Sequence, residues 1–222
     1  MTILSITVLF AAISIITYRV VSPSEYLVKY RIRKAIAYIE NEIETINRID
    51  VDQINAALNL LEEGIKREAT VYVFGNGGSA ATASHIQNDF NKGISEHTKD
   101  KFRFLCLNDN IATVMAIAND IGYEEIFRFQ LIGKIKSSDI IVAISGSGNS
   151  KNVINAVEYG KNQGCKVIGL TGYSGGKLKE LADISLHSPI NSMQITEDIH
   201  MIFNHLMMSA FYKTMCGIEH IK

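Results

Sequence analysis

His85 and Asp89 stand four residues apart in a stretch, SAATASHIQNDF, that reads as helix. That spacing puts an imidazole and a carboxylate on one helix face. Near the C-terminus, Glu197 and His205 are eight residues apart and also share a face, with Gln194 beside them. Two helices thus each offer a carboxylate and an imidazole. Brought together, they would form either an acid–base pair or a two-histidine, two-carboxylate metal site. Each pair alone has the spacing of an ordinary helical ion pair. His200 is turned away from His205, and the buried stripe of that helix is expected to be Ile199, Ile202, Phe203, Leu206 and Ala210. His97, His187 and His220 read as loop or surface histidines, and Met207-Met208 as core packing.

Two small, hydroxyl-rich turns could hold the substrate. The first, Gly75-Asn76-Gly77-Gly78-Ser79, follows the β-branched run Thr70 to Phe74. The second, Ser145-Gly146-Ser147-Gly148-Asn149-Ser150, follows Asp139 to Ile144. Each leads into a helix-compatible segment. Glycine lets backbone approach a ligand, a helix start presents free N–H groups, and serine hydroxyls add donors. Neither turn has the Gly-Lys-Ser/Thr ending of a Walker loop, and the first does not read G-x-G-x-x-G. Together the turns suggest a sugar-phosphate or nucleotide pocket that follows neither common nucleotide pattern, and no nucleotide cofactor is expected.

The elements that must position these groups alternate. Helices are expected over 25–47, with Leu27, Ile32, Ile36, Ile39, Ile43 and Ile46 at helical spacing, and after Asp50-Val51-Asp52, with Ile54, Leu58, Leu61 and Ile65 at the same spacing. Further helices are expected from Ser79, as a capping residue, to about 91, then over 110–119, 124–136, 150–163 (stopped by Gly164), 178–182 and 194–215. Strands are expected over 70–74, 102–107, 139–144, 166–170 and 184–187. This alternation predicts an α/β three-layer sandwich with a five-stranded parallel sheet. Ligands of such sheets bind beyond the carboxyl ends of the strands, where both serine turns lie.

The chain's 222 residues suit one domain plus an extension, and its net charge of −1 argues against nucleic-acid binding through a basic surface. Cys106, Cys165 and Cys216, odd in number and widely spaced, read as reduced thiols of a cytosolic protein. Residues 1–24 form an apolar extension with no charge before Arg19. The apolar run is borderline in length for a membrane span, and its readings are a membrane anchor, a buried helix or a non-native start. If residues 3–18 inserted, the basic residues that follow would keep the rest of the chain in the cytoplasm. Residues 25–222 are expected to form the domain.

The segments GNGGSAATASH, LNDN, AIANDIGYE, ISGSGNS, GLTG and EDIHMIFNH occur in that order. Together they resemble the sugar isomerase (SIS) domain, and within it the sedoheptulose-7-phosphate isomerase (phosphoheptose isomerase) family, over about residues 26 to 220. The resemblance implies a flavodoxin-like sheet and a cytosolic homotetramer with active sites at subunit interfaces. It implies conversion of sedoheptulose 7-phosphate to D-glycero-D-manno-heptose 7-phosphate, toward nucleotide-activated heptose for surface glycans. By position, Ser79 with Gly77 and Gly78, and Ser145, Ser147 and Ser150, match the phosphate-binding loops, and Gly146 stands where the family often has threonine. Asn76 and Asp109 match sugar-contacting residues, His85 a pocket histidine and His205 the catalytic histidine. Asp89 replaces a catalytic glutamate, and Glu197 a glutamine. In some members the positions of His85, Asp89, Glu197 and His205 bind zinc. The same family contains non-catalytic members that bind phosphosugars or the replication initiator, which is the alternative reading.

Overall fold

A computed structural model describes residues 23 to 219. The apolar run at the N-terminus and His220 lie outside the described residues. Among the described residues, no helix is long and apolar enough to cross a membrane.

Helix α1 (Pro23–Ile46) precedes α2 (Val51–Lys66), whose start is capped by the Asp50 carboxylate accepting from the amides of Asp52 and Gln53. There follow β1 (Thr70–Gly75), α3 (Gly78–Asn88), β2 (Arg103–Cys106), α4 (Ile111–Asp120), the short α5 (Arg128–Leu131) and β3 (Ile140–Ser145). The chain ends with α6 (Lys151–Asn162), β4 (Lys166–Thr171), α7 (Gly176–Leu181), β5 (Ile184–His187) and α8 (Met193–Cys216). All strand pairs are parallel, in the order β2-β1-β3-β4-β5. This is the flavodoxin-like order expected, with its switch point between β1 and β3. The two serine turns leave these adjacent strands at that point. The described residues divide into two units, one up to Asn41 and one from Glu42 onward.

The period-two geometry of a strand explains the two cores. Val71 and Val73 of β1, with Ile140, Val142 and Ile144 of β3, face a layer that includes Leu61 of α2, Ile86 of α3 and Phe203 and Phe211 of α8. Tyr72 and Phe74, with Ile141 and Ala143, face Phe127, Leu131, Val153, Val157 and Leu178 on the other side. A strand covered on both faces is apolar throughout, which is why β3 is buried at every position.

Four expectations are corrected. The helix over 124–136 is broken into a 3₁₀ turn (Tyr123–Glu125) and the four-residue α5. Ile126, Phe127, Leu131 and Ile135 are all buried at nearly helical spacing, but Gly133 at φ +71° turns the chain between them. Ser79 does not cap α3: the cap position is Gly77, with no side-chain hydrogen bond, and α3 passes into a π-helical turn at Asp89–Ile94. The buried stripe of α8 is Ile195, Thr196, Ile199, His200, Phe203, Asn204, Met207 and Phe211, whereas Leu206 is exposed. The layer therefore meets α8 along a face rotated toward His200, where β4, α3 and α2 pack on it. His187 is no surface group either: it sits half-buried on β5, its Nδ1 3.0 Å from the Thr171 hydroxyl.

Candidate active site

The two turns close on one cavity of about 260 Å³. Asn76 to Ser79 line one wall, Ser145 to Ser147 and Ser150 the second, and Met193 and Glu197 of α8 the third. Backbone conformation shapes it: Gly77 has φ +56° and Gly148 φ +67°, both costly for other residues. α2 and α4 are capped by Asp50 and Asn110, but no side chain caps α3 or α6. The amides of these two helix starts favour an anionic ligand, although Ala80 N donates to the Gly77 carbonyl and Val153 N to Asn152 Oδ1. Ser145 Oγ and Ser150 Oγ lie 3.1 Å apart, and Ser147 Oγ accepts only a long bond from the Asn149 amide at 3.3 Å. A Cβ on Gly146 would come within 2.7 Å of the Met193 sulfur, so a larger residue there would require the flexible end of Met193 to move.

Asn76 lines this cavity, and its amide is held by neighbouring side chains with one N–H still to spare. It exchanges two 2.9 Å hydrogen bonds with the Asn152 amide and accepts a third at 2.9 Å from the Tyr123 hydroxyl. Asn152 and Tyr123 therefore set the first loop, a role that sequence reasoning missed. Asp109 stands elsewhere: it accepts from Gln87 Nε2 at 2.7 Å and lines a separate cavity beside β2.

The polar cluster lies further along α3. His85 Nε2 is 3.0 Å from Asp89 Oδ2 and 3.3 Å from His205 Nε2, and His205 Nε2 is 3.9 Å from the same carboxylate oxygen. The expected meeting of α3 and α8 is therefore present for three of the four residues. Glu197 stands outside the cluster, its carboxylate packed over Gly78 so closely that a Cβ on Gly78 would collide with it. The reason is axial: eight residues return to one helix face but advance about 12 Å along it. The side chain of Asp89 is almost buried, while His85 and His205 keep a side open to solvent.

Three ligand atoms so placed fit a zinc ion. Zinc bonds of about 2.0–2.1 Å in tetrahedral geometry put neighbouring ligand atoms roughly 3.3 Å apart, near the spacings above. His85, Asp89 and His205 would supply two imidazole nitrogens and one carboxylate oxygen and leave one position open. The cysteines offer no competing nucleophile, since burial pushes the Cys106 thiol up to about 12 and Cys165 up to about 11.

A SIS-domain family model matches residues 36–172. The phosphoheptose isomerase of Leptospira biflexa is 34% identical over 82% of this chain and 97% of its own length. That of Helicobacter pylori strain P12 is 33% identical over 70% of this chain and 81% of its own. Among solved structures, phosphoheptose isomerase GmhA from Neisseria gonorrhoeae superposes with a TM-score of 0.76 at 27% identity, covering 84% of this chain and all of that one. A phosphoheptose isomerase from Francisella tularensis gives 0.75 at 28%, covering 82% and 97%. With a cavity edged by serine turns, a histidine–aspartate cluster on the helix that leaves it, and relatives matched over most of their length, the chain belongs to the phosphoheptose isomerase family of SIS-domain proteins.

Proposed function

We propose that this protein is an aldose–ketose isomerase that converts sedoheptulose 7-phosphate to D-glycero-D-manno-heptose 7-phosphate, in the supply of activated heptose for surface glycans. The observation that carries the reading is that one helix, α3, joins the two halves of the site. Ser79 in its first turn edges the phosphate cavity, and His85, six residues on, lies about 9 Å along the axis. A seven-carbon sugar bound by its terminal phosphate needs such a reach to present C1 and C2 to the cluster.

Isomerisation moves a proton between those carbons through an enediol. Asp89 is the base: its carboxylate takes the carbon-bound proton and returns it to the neighbouring carbon. His205 gives a proton to the carbonyl oxygen and recovers one from the adjacent hydroxyl, so no net proton is consumed. His85 bridges the two and orients them. A zinc ion held by His85, Asp89 and His205 would instead polarise the carbonyl itself, in place of the His205 proton. A scaffold that only binds phosphosugar has no need of this convergent His-Asp-His set.

The homotetramer belongs to this proposal, supported by α1, whose Leu27, Ile32, Ile36, Ile39 and Ile43 are exposed at helical spacing. So does a cytoplasmic location, which suits three free cysteines. Incubating the purified protein with sedoheptulose 7-phosphate, with and without added zinc, and following the aldose product tests the activity. Absence of turnover in both conditions overturns it.

A further inference from the structure

Asn204 is fully buried on α8, among Phe203, Met207 and Ile199. Burying an amide without complete hydrogen bonding is costly, and this one is only half satisfied. Its Oδ1 has no partner among the described residues. Its Nδ2 donates to Asp89 Oδ2 at 2.6 Å, a short, charge-assisted bond from one catalytic helix to the other. The orientation of the amide follows from chemistry, since an ionised carboxylate only accepts and must meet the nitrogen. An apolar side chain would suit the packing around Asn204 better, so its placement is explained by Asp89 and not by the core.

The bond does two things. First, it divides the carboxylate. Oδ2 carries Asn204 at 2.6 Å and His85 at 3.0 Å, whereas Oδ1 has only a long approach from Asn88 Nδ2 at 3.4 Å. Oδ1 therefore keeps its lone pairs for a proton from substrate. Second, it ties Asp89, at the start of the π-helical turn, to the residue next to His205. The distance between base and acid is thereby set by a side chain that touches neither substrate nor solvent.

We infer that Asn204 is a positioning residue for this site: its buried amide pins Oδ2 of Asp89 and leaves Oδ1 as the proton-accepting oxygen. The inference rests on the isomerase reading above and adds a residue to it. Hydrogen-bond partners of functional carboxylates change affinity or rate by about 10- to 100-fold when removed.

Asn204→Leu, close in size and apolar, is the test. It should lower kcat on sedoheptulose 7-phosphate by about 10- to 100-fold and leave KM nearly unchanged. In an Asp89→Asn background the same substitution should cost little further, because the group it positions is already disabled. A purely structural role predicts equal losses in both backgrounds, and that result would overturn the inference. Should Asn204→Leu not fold, Asn204→Ser, too short to bridge the helices, takes its place in the cycle. A crystal structure of the single variant decides the matter independently of turnover. An Asp89 carboxylate displaced from its place beside His85 supports the inference, and an unmoved one rejects it. A parent protein without isomerase activity would remove the proposed function, while the carboxylate's position would still answer for Asn204.

Discussion

At the start of α3 the site is built from backbone, and at its end from side chains. The cavity between the serine turns depends on glycine conformations, uncapped helix starts and close approaches such as Glu197 on Gly78. The cluster at the other end depends on a few atoms 2.6 to 3.9 Å apart, contributed by two helices and held by Asn204. The first kind of site tolerates loss of one hydroxyl, since many donors share the anion, but not a new Cβ. The second kind tolerates neither loss nor lengthening of a side chain. Binding should therefore be damaged gradually at one end, and turnover abruptly at the other.

The largest expected effect breaks the cluster. Asp89→Asn and His205→Ala should each reduce kcat by about 100-fold or more without unfolding the protein. Steady-state kinetics with a thermal melt on each variant checks this, and a loss confined to KM would reverse the assignment of the two ends. Asp89→Glu sharpens the point. The aspartate carboxylate already meets Asn204 and His85 in a nearly closed space, so an extra methylene should lower activity.

Gly148→Ala comes next, and attacks the backbone end. A Cβ there would overlap the Gly175 carbonyl, and φ +67° is strained for alanine. Stability should fall by more than about 1 kcal/mol and KM should rise, as read by denaturant melts and kinetics. A variant as stable as the parent would show that the loop is softer than described. Ser147→Ala and Ser150→Ala are milder. Each would remove one of several donors to the proposed phosphate, so KM should rise by the equivalent of about 0.5–1.5 kcal/mol while kcat changes little. Equal affinity of the parent for phosphorylated and unphosphorylated sugar would contradict both.

The smallest effect at neutral pH concerns the other histidine of α8. Burial holds His200 down to about 4, against about 6.5 in an unfolded chain. Above pH 6.5 both states are neutral there and nothing is lost. As pH falls from 6.5 to 4, the unfolded chain takes a proton that the folded one refuses, so stability declines, by about 3 kcal/mol in total. Urea melts at pH 7 and pH 4.5 should therefore show a flatter pH dependence for His200→Leu than for the parent. Identical slopes would mean that His200 is reached by water.

How much of this was legible without the fold varies by residue. His85 with Asp89, and the serine turns at the strand ends, could be read directly, because i,i+4 spacing and strand–turn–helix punctuation are local properties. Glu197 with His205 was half legible: angular periodicity predicted one face but not the axial separation that keeps Glu197 at the cavity between the serine turns. Asn204 left a trace, a lone amide within the apolar rows of α8, whose meaning depends on a carboxylate 115 residues away. The break at Gly133 went unread because buried residues on both sides kept a helical rhythm.

What the sequence by itself determined is the alternation of elements, the parallel sheet, the two anion-ready turns and the histidine–carboxylate pair on α3, since each follows from neighbours along the chain. Only the tertiary structure decided which face of α8 is buried, which carboxylate joins the cluster, and which amide holds it. Those choices are made where helices from distant parts of the chain pack against one sheet, and close packing rather than local preference selects the atoms that meet.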